Sequence, residues 1–295
     1  MIRILTPIGC AALLLAALMS LSCSASARDA SDMYPDTVDP FMGNWVGRWC
    51  AEEEVDPDIA AQVIPHGKGK YEIRIVSKLF MRCPPEADFE ADANGDTITF
   101  DKNGIQGTIK GDTFTGKSGK KTFEMKKYVH QCAALGAAPP AGAIVLFDGS
   151  NFDQWEPPTG WEILEGGVAM VTPKGKELVS KVRLKDLKLH VEFRLPYMPF
   201  AREQQRGNSG VFVQDVYEVQ VLDSYGLEGY YNECGAMYKV AAPKVNACLP
   251  PLAWQVYDIE YHAPQFDAAG NVTANARITV FQNGVCIQDN QELPQ

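Results

Sequence analysis

The stretch "ANGDTITFDKNGIQGTIKGDTFTGKSGKKTFEMKK" (93–127) limits the possible folds most sharply. Short runs of alternating apolar and polar residues are cut at regular intervals by Asn-Gly and Gly-Asp pairs. That punctuation predicts strands joined by tight hairpin turns. "KYEIRIVSKLF" alternates in the same way, with Tyr71, Ile73 and Ile75 on one face and Glu72 and Arg74 on the other. Further along, "LKLHVEFRL" sets Leu187, Leu189, Val191, Phe193 and Leu195 against Lys188, His190, Glu192 and Arg194, and "ARITVFQNGVCIQD" folds back at Asn283-Gly284. No helical period lasts beyond a turn or two, and strands do not alternate with helices. The expectation is an all-β protein built as sandwich or barrel.

The alanine- and proline-rich stretch "CAALGAAPPAGA" divides the chain. It reads as a linker over 131–142, between a small antiparallel β-meander domain (41–130) and a second β domain (143–295). Residues 28–40 form a polar leader. Ahead of them, "MIRILTPIGCAALLLAALMSLSCSASA" combines one positive charge, an apolar run and a small-residue end, which predicts a signal peptide over 1–27. A lipid anchor on Cys23 is the other reading. Either predicts export to the periplasm or the extracellular space, and no later segment reads as a membrane span.

Six of the eight cysteines follow residue 27: Cys50, Cys83, Cys132, Cys234, Cys248 and Cys286. An even number in an exported chain points to disulfides, and Cys234 with Cys248, bracketing one short segment, is the expected pair. The net charge of −10 argues against nucleic acid and anionic membranes as partners and suits a neutral substrate such as a sugar.

Chemistry concentrates in "VYEVQVLDSYG" (216–226). On a strand, Tyr217, Val219 and Val221 point inward, while Glu218 and Gln220 share the opposite face, roughly 7 Å apart. Asp223 falls at the strand's end, where a bulge or turn would swing it outward. A solvated outer face is the plain alternative. Upstream, Asn208 and Gly210 suggest a shaped loop beside the same sheet; downstream come Tyr238, Asn246, Trp254 and His262. Rings stack on a pyranose while carboxylates and amides take its hydroxyls. His190 and His262 read more readily as structural histidines than as catalysts.

The blocks "GAIVLFDGSNFDQW", "GNSGVFV", "YEVQVLDS", "CGAMY", "NACLPP" and "VFQNGV" follow one another in order. In this the second half resembles the bacterial 3-keto-disaccharide hydrolase family, a domain with a concanavalin-A-like jelly-roll β-sandwich fold. Members run on past "NQELPQ", so either the chain is a fragment or the jelly roll lacks its last strand. The resemblance implies a glycoside already oxidised to a ketone at C3. A base takes the acidified C2 hydrogen, the C1–O bond breaks by elimination, and water adds back. Such chemistry needs a base, an acid near the glycosidic oxygen and a group that polarises the C3 oxygen. On this reading Glu218 is base or metal ligand with Asp223 as its partner. Arg194 or His262 polarises the ketone or protonates the leaving group, and Asn208, Gln220, Tyr238, Asn246 and Trp254 line the sugar site. A divalent cation held by Glu218 and Asp223 could polarise instead. The competing expectation is a non-catalytic, lectin-like carbohydrate-binding jelly roll, since that fold serves both; a surface-assembly protein is a third.

Overall fold

The computed structural model describes residues 3–5, 37–50, 58–172 and 175–294. The signal peptide from residue 6 onward, its cleavage point, Cys23 and the polar leader up to residue 36 lie outside the described residues. Within the expected signal peptide, Arg3–Leu5 (β1) forms a short strand.

Eight antiparallel strands close into a barrel: β2 (Gly43–Cys50), β3 (Asp58–Gly67), β4 (Lys70–Val76), β5 (Ala87–Asn94), β6 (Thr97–Lys102), β7 (Ile105–Lys110), β8 (Thr113–Ser118) and β9 (Lys121–Tyr128). The meander therefore has no free edge, because β9 returns to pair with β2. At the β6–β7 hairpin Asn103 and Gly104 both take positive φ, 52° and 77°. This is the left-handed pair that a two-residue turn requires. The lumen is filled by side chains. Trp45, Ile73, Ile75, Ile98, Phe114 and Met125 are buried inside, and the rings of Trp45, Phe100, Phe114 and Phe123 meet edge to face.

The second domain is a jelly-roll sandwich. Its larger layer runs in the order β10 (Trp161–Leu164), β11 (Val168–Val171), β1, β12 (Leu187–Arg194), β15 (Trp254–His262), β18 (Arg277–Gln282), β19 (Val285–Glu292). Here β1 lies parallel to both β11 and β12. Asn283-Gly284 makes the β18–β19 hairpin, as its sequence predicts. The facing layer is built on β13 (Ser209–Val213) and β14 (Tyr217–Val221), to which Met237 adds an isolated bridge opposite Val219. A small ribbon, β16 (Gln265–Phe266) with β17 (Val272–Ala274), lies outside both layers. Val191, Phe193, Tyr257, Ile259 and Tyr261 pack against Val213, Tyr217, Val219 and Val221 between the layers. Tyr257 spans the core and donates its hydroxyl to the Gln220 carbonyl at 2.7 Å.

The barrel grips the loops of the jelly roll. Arg74 points out of the barrel, yet it is buried where its guanidinium meets the Gly226 carbonyl and Glu228. Arg82 donates to the carbonyls of Gly229 and Pro243, each at 2.8 Å, and Tyr225 donates to Asn44 at 3.0 Å. Residues 129–142 carry no strand; the Gly136 amide donates to Glu192 at 2.6 Å on the outer side of β12.

Candidate active site

On β14, alternation sends Val219 and Val221 into the core and Glu218 and Gln220 to the opposite side. Across the ladder Glu218 pairs with Phe212 of β13. On its other flank the Tyr238 amide donates to the Glu218 carbonyl at 2.9 Å, in register with the Val219–Met237 bridge. Residues directly opposite in an antiparallel ladder share a face. Phe212, Glu218 and Tyr238 thus form one row on the outer surface of this layer. The next row is Gly210, Gln220 and Ala236. Its two ends are small residues.

Gly210 has a second consequence. A Cβ at that position would overlap the Glu218 carboxylate, which lies diagonally over the glycine. The carboxylate is half-buried, and among the described residues no hydrogen bond or ion pair reaches it. Burial raises its pKa above the ordinary glutamate value, with the Lys239 ammonium pulling the other way. Lys239 itself sits 5.1 Å over the Tyr238 ring. A carboxylate held ready to accept a proton, one cation and two rings occupy the same small surface, and Phe212 is 53% exposed there.

Amides surround Gln220, which is only 1% exposed. Its Nε2 donates to Gln204 Oε1 at 3.1 Å. Asn208 Nδ2 donates to the same oxygen at 3.2 Å, and Gln204 Nε2 donates to the Asn232 carbonyl at 2.9 Å. Gln204 belongs to a 3-10 turn, Glu203–Gln205. A cavity of about 380 Å³ opens between Asp39 and Tyr71 of the barrel and Tyr197 and Phe200. Its one carboxylate, Asp39, is taken up by the hydroxyls of Tyr71 and Tyr197, at 2.9 and 3.4 Å.

The residues expected to act together separate into two groups. Glu218, Gln220, Asn208 and Tyr238 converge. Asp223 does not join them. It is buried at 1% exposure, and its carboxylate accepts from Arg206 Nε and Nη2 at 3.1 and 2.8 Å. Burial raises its pKa against the pull of that guanidinium. It lies beyond the end of β14, and its carboxylate is engaged by Arg206 rather than by Glu218. Among the described residues no three His, Cys, Asp or Glu side chains gather to hold a metal.

Arg194 and Trp254 face outward from the other layer, stacked on each other at 5.5 Å. His262 ends β15 on that same back side, 3.4 Å from Glu260. The whole core lies between these three and Glu218. Asn246 is structural: its Nδ2 donates to the carbonyls of Ser224 and Leu227, and its Oδ1 accepts from the Cys248 amide. Cys234 and Cys248 are buried against each other as free thiols rather than as the expected disulfide. Cys234 keeps Tyr257 and Gln282 as partners, each at 3.2 Å. Gln204, Asn232 and Lys239 were not singled out from sequence, because each reaches the face from an irregular segment that carries no strand period.

Residues 142–295, just over half of the chain, match the family described as the 3-keto-alpha-glucoside-1,2-lyase-like domain. The chain belongs to this family. Among solved structures it is similar to a crystal structure described as a "putative glycosyl hydrolase" from Parabacteroides distasonis. That similarity runs at 38% identity over 52% of this chain and 67% of the other, with a TM-score of 0.48. No curated protein matches. Membership of the 3-keto-alpha-glucoside-1,2-lyase-like family makes the protein a carbohydrate-acting one. Among the described residues no helix is long and apolar enough to cross a membrane.

Proposed function

We propose that the protein cleaves 3-keto-glucosides by elimination across C1 and C2, with Glu218 as the base. The observation that carries this reading is the Glu218 carboxylate itself: half-buried, raised in pKa, unpaired, and flanked by Phe212 and Tyr238. A base of raised pKa takes a carbon-bound proton more readily than an ordinary surface glutamate. The C3 ketone acidifies C2–H, whose proton passes to Glu218. The electron pair forms C1=C2, and the C1–O bond breaks. The aglycone leaves as an alcohol after protonation, for which Lys239 is the cation of this face, and Lys239 can equally polarise the C3 oxygen. Water then adds hydroxide to C1 and a proton to C2, giving net hydrolysis. Phe212 and Tyr238 offer ring faces to the pyranose, and Asn208 and Gln220 offer amides to its hydroxyls. No step needs a second carboxylate.

The test is turnover of p-nitrophenyl 3-keto-α-D-glucopyranoside beside the unoxidised glucoside in D₂O. The expected result is nitrophenol release, with deuterium at C2, from the keto-sugar alone. Binding of the unoxidised sugar with no turnover of either would instead make the domain a carbohydrate-binding module.

Export is part of the same proposal and rests on the signal-like segment over 1–27, whose removal would take β1 out from between β11 and β12. An oxidising compartment would join the neighbouring Cys234 and Cys248 thiols. Alkylation of the secreted protein unfolded in denaturant without reductant should then leave both unlabelled, whereas labelling of either would contradict the pairing.

A further inference from the structure

We propose that the Gln204 side chain is a built-in occupant of a sugar-hydroxyl subsite between Asn208 and Gln220, and that a bound glycoside displaces it. The segment 199–207 thereby gates the Glu218 face. This rests on the reading that the face takes a sugar.

One side chain does here what a pair of neighbouring hydroxyls would do. Gln204 Oε1 accepts from Gln220 Nε2 and from Asn208 Nδ2, and Gln204 Nε2 donates to the Asn232 carbonyl. A hydroxyl both donates and accepts, so two adjacent hydroxyls reproduce the set. They can also supply what Gln204 does not. Gln220 Oε1 is buried and has no hydrogen-bond partner among the described residues. A buried amide oxygen left without a donor is costly and calls for an explanation. A hydroxyl donating to it would complete the amide.

The segment is anchored at both ends, and at its tip the Gln204 carbonyl accepts from Asn208 Nδ2 at 3.1 Å, which leaves the Gln204 side chain as the part to be displaced. Arg202 is fixed at one end, donating to the carbonyls of Pro199 and Ala201 and contacting His66 of the barrel at 2.7 Å. His66 in turn meets Glu72 at 3.1 Å. At the other end Arg206 is locked on buried Asp223. Between these anchors Glu203 holds a φ of 52°, a left-handed conformation that a non-glycine residue adopts at a cost. Only two backbone bonds close the turn, Gln205 N to Arg202 O at 3.1 Å and Arg206 N to Glu203 O at 3.2 Å. The barrel thereby acquires a role at the site: its His66 sets the near hinge of the gate.

Gln204→Ala is the test, read in two ways. In steady-state turnover of p-nitrophenyl 3-keto-α-D-glucopyranoside, KM should fall about 5- to 10-fold, the worth of roughly one displaced hydrogen bond. kcat should stay within about twofold, because binding and not chemistry is relieved. A KM that rises or stays put overturns the gate, since Gln204 would then be a substrate contact or mere scaffold. The second reading needs no substrate. Hydrogen exchange at the Gln205 and Arg206 amides should be about tenfold faster in Gln204→Ala than in the parent protein; equal exchange overturns the proposal. If neither protein turns over the keto-glucoside, the catalytic reading falls, and the gate stands or falls on the exchange result.

Discussion

On the back of the sandwich, Arg194 stacks on Trp254, His190 meets Asp258 at 2.7 Å, and Glu192 accepts from Gly136 of the linker. On the front, Glu218 meets no partner, Gly210 clears space for its carboxylate, and amides gather around Gln220. Both faces alternate apolar-in and polar-out, and both carry charge. They differ in what becomes of that charge. The back face engages His190, Glu192 and Arg194 with neighbouring groups and covers part of itself with chain. The front face keeps one half-buried carboxylate without a hydrogen-bond partner among the described residues, beside one cation. A charged residue on the outside of a strand therefore says little about function until its partners are known.

The largest effect expected from this contrast is structural and lies beneath the front face. Arg206→Ala leaves the Asp223 carboxylate buried without its cation, a change that costs about 3–5 kcal/mol. Urea denaturation should show that loss, whereas removing the exposed Lys188–Glu260 pair on the back should cost under about 1 kcal/mol. Equal losses would mean that the front loops are not anchored as described.

Next comes Gly210→Ala. Its backbone is ordinary strand, so stability should change by less than about 1 kcal/mol. The new methyl group displaces the Glu218 carboxylate, and turnover should drop about 10²-fold, as it does when a reacting group moves by an ångström. Undiminished turnover would separate Glu218 from the chemistry.

The smallest effect belongs to the back. The Asp258 hydrogen bond raises the His190 pKa, against burial, with Glu192 adding to the rise. A histidine raised in the folded state contributes stability that is whole below its unfolded value, near 6.5, and is lost as pH climbs through the folded one. His190→Asn should therefore cost less than about 1 kcal/mol at pH 5 and nothing in alkali, with turnover unchanged throughout. A loss of turnover would move the site to the back face.

Much of the fold was legible in sequence because it follows from period and turn chemistry. Tyr71, Ile73 and Ile75 point into the barrel, Val191 and Phe193 point into the sandwich, and Asn283-Gly284 turns, all as alternation and left-handed glycine dictate. Alternation could not tell which outer face a residue joins. Arg194 and Glu218 both point away from the core, but the topology places them on opposite layers. Nor could it foresee long-range pairing. Asp223 is claimed by Arg206, seventeen positions upstream, across a loop without a period. Gln204 and Lys239 reach the site the same way, through a 3-10 turn and a single bridge at Met237. Closure of the meander into a barrel depends on β9 finding β2, a contact that no local pattern encodes.

Glu218→Gln is the most direct measurement. The substitution keeps the shape and removes a desolvated charge, so the variant should be as stable as the parent at neutral pH or slightly more so. Its rates of nitrophenol release and of C2 deuterium incorporation from p-nitrophenyl 3-keto-α-D-glucopyranoside should both fall by about 10²–10⁴. Parent-like rates in a folded Glu218→Gln protein would contradict the account.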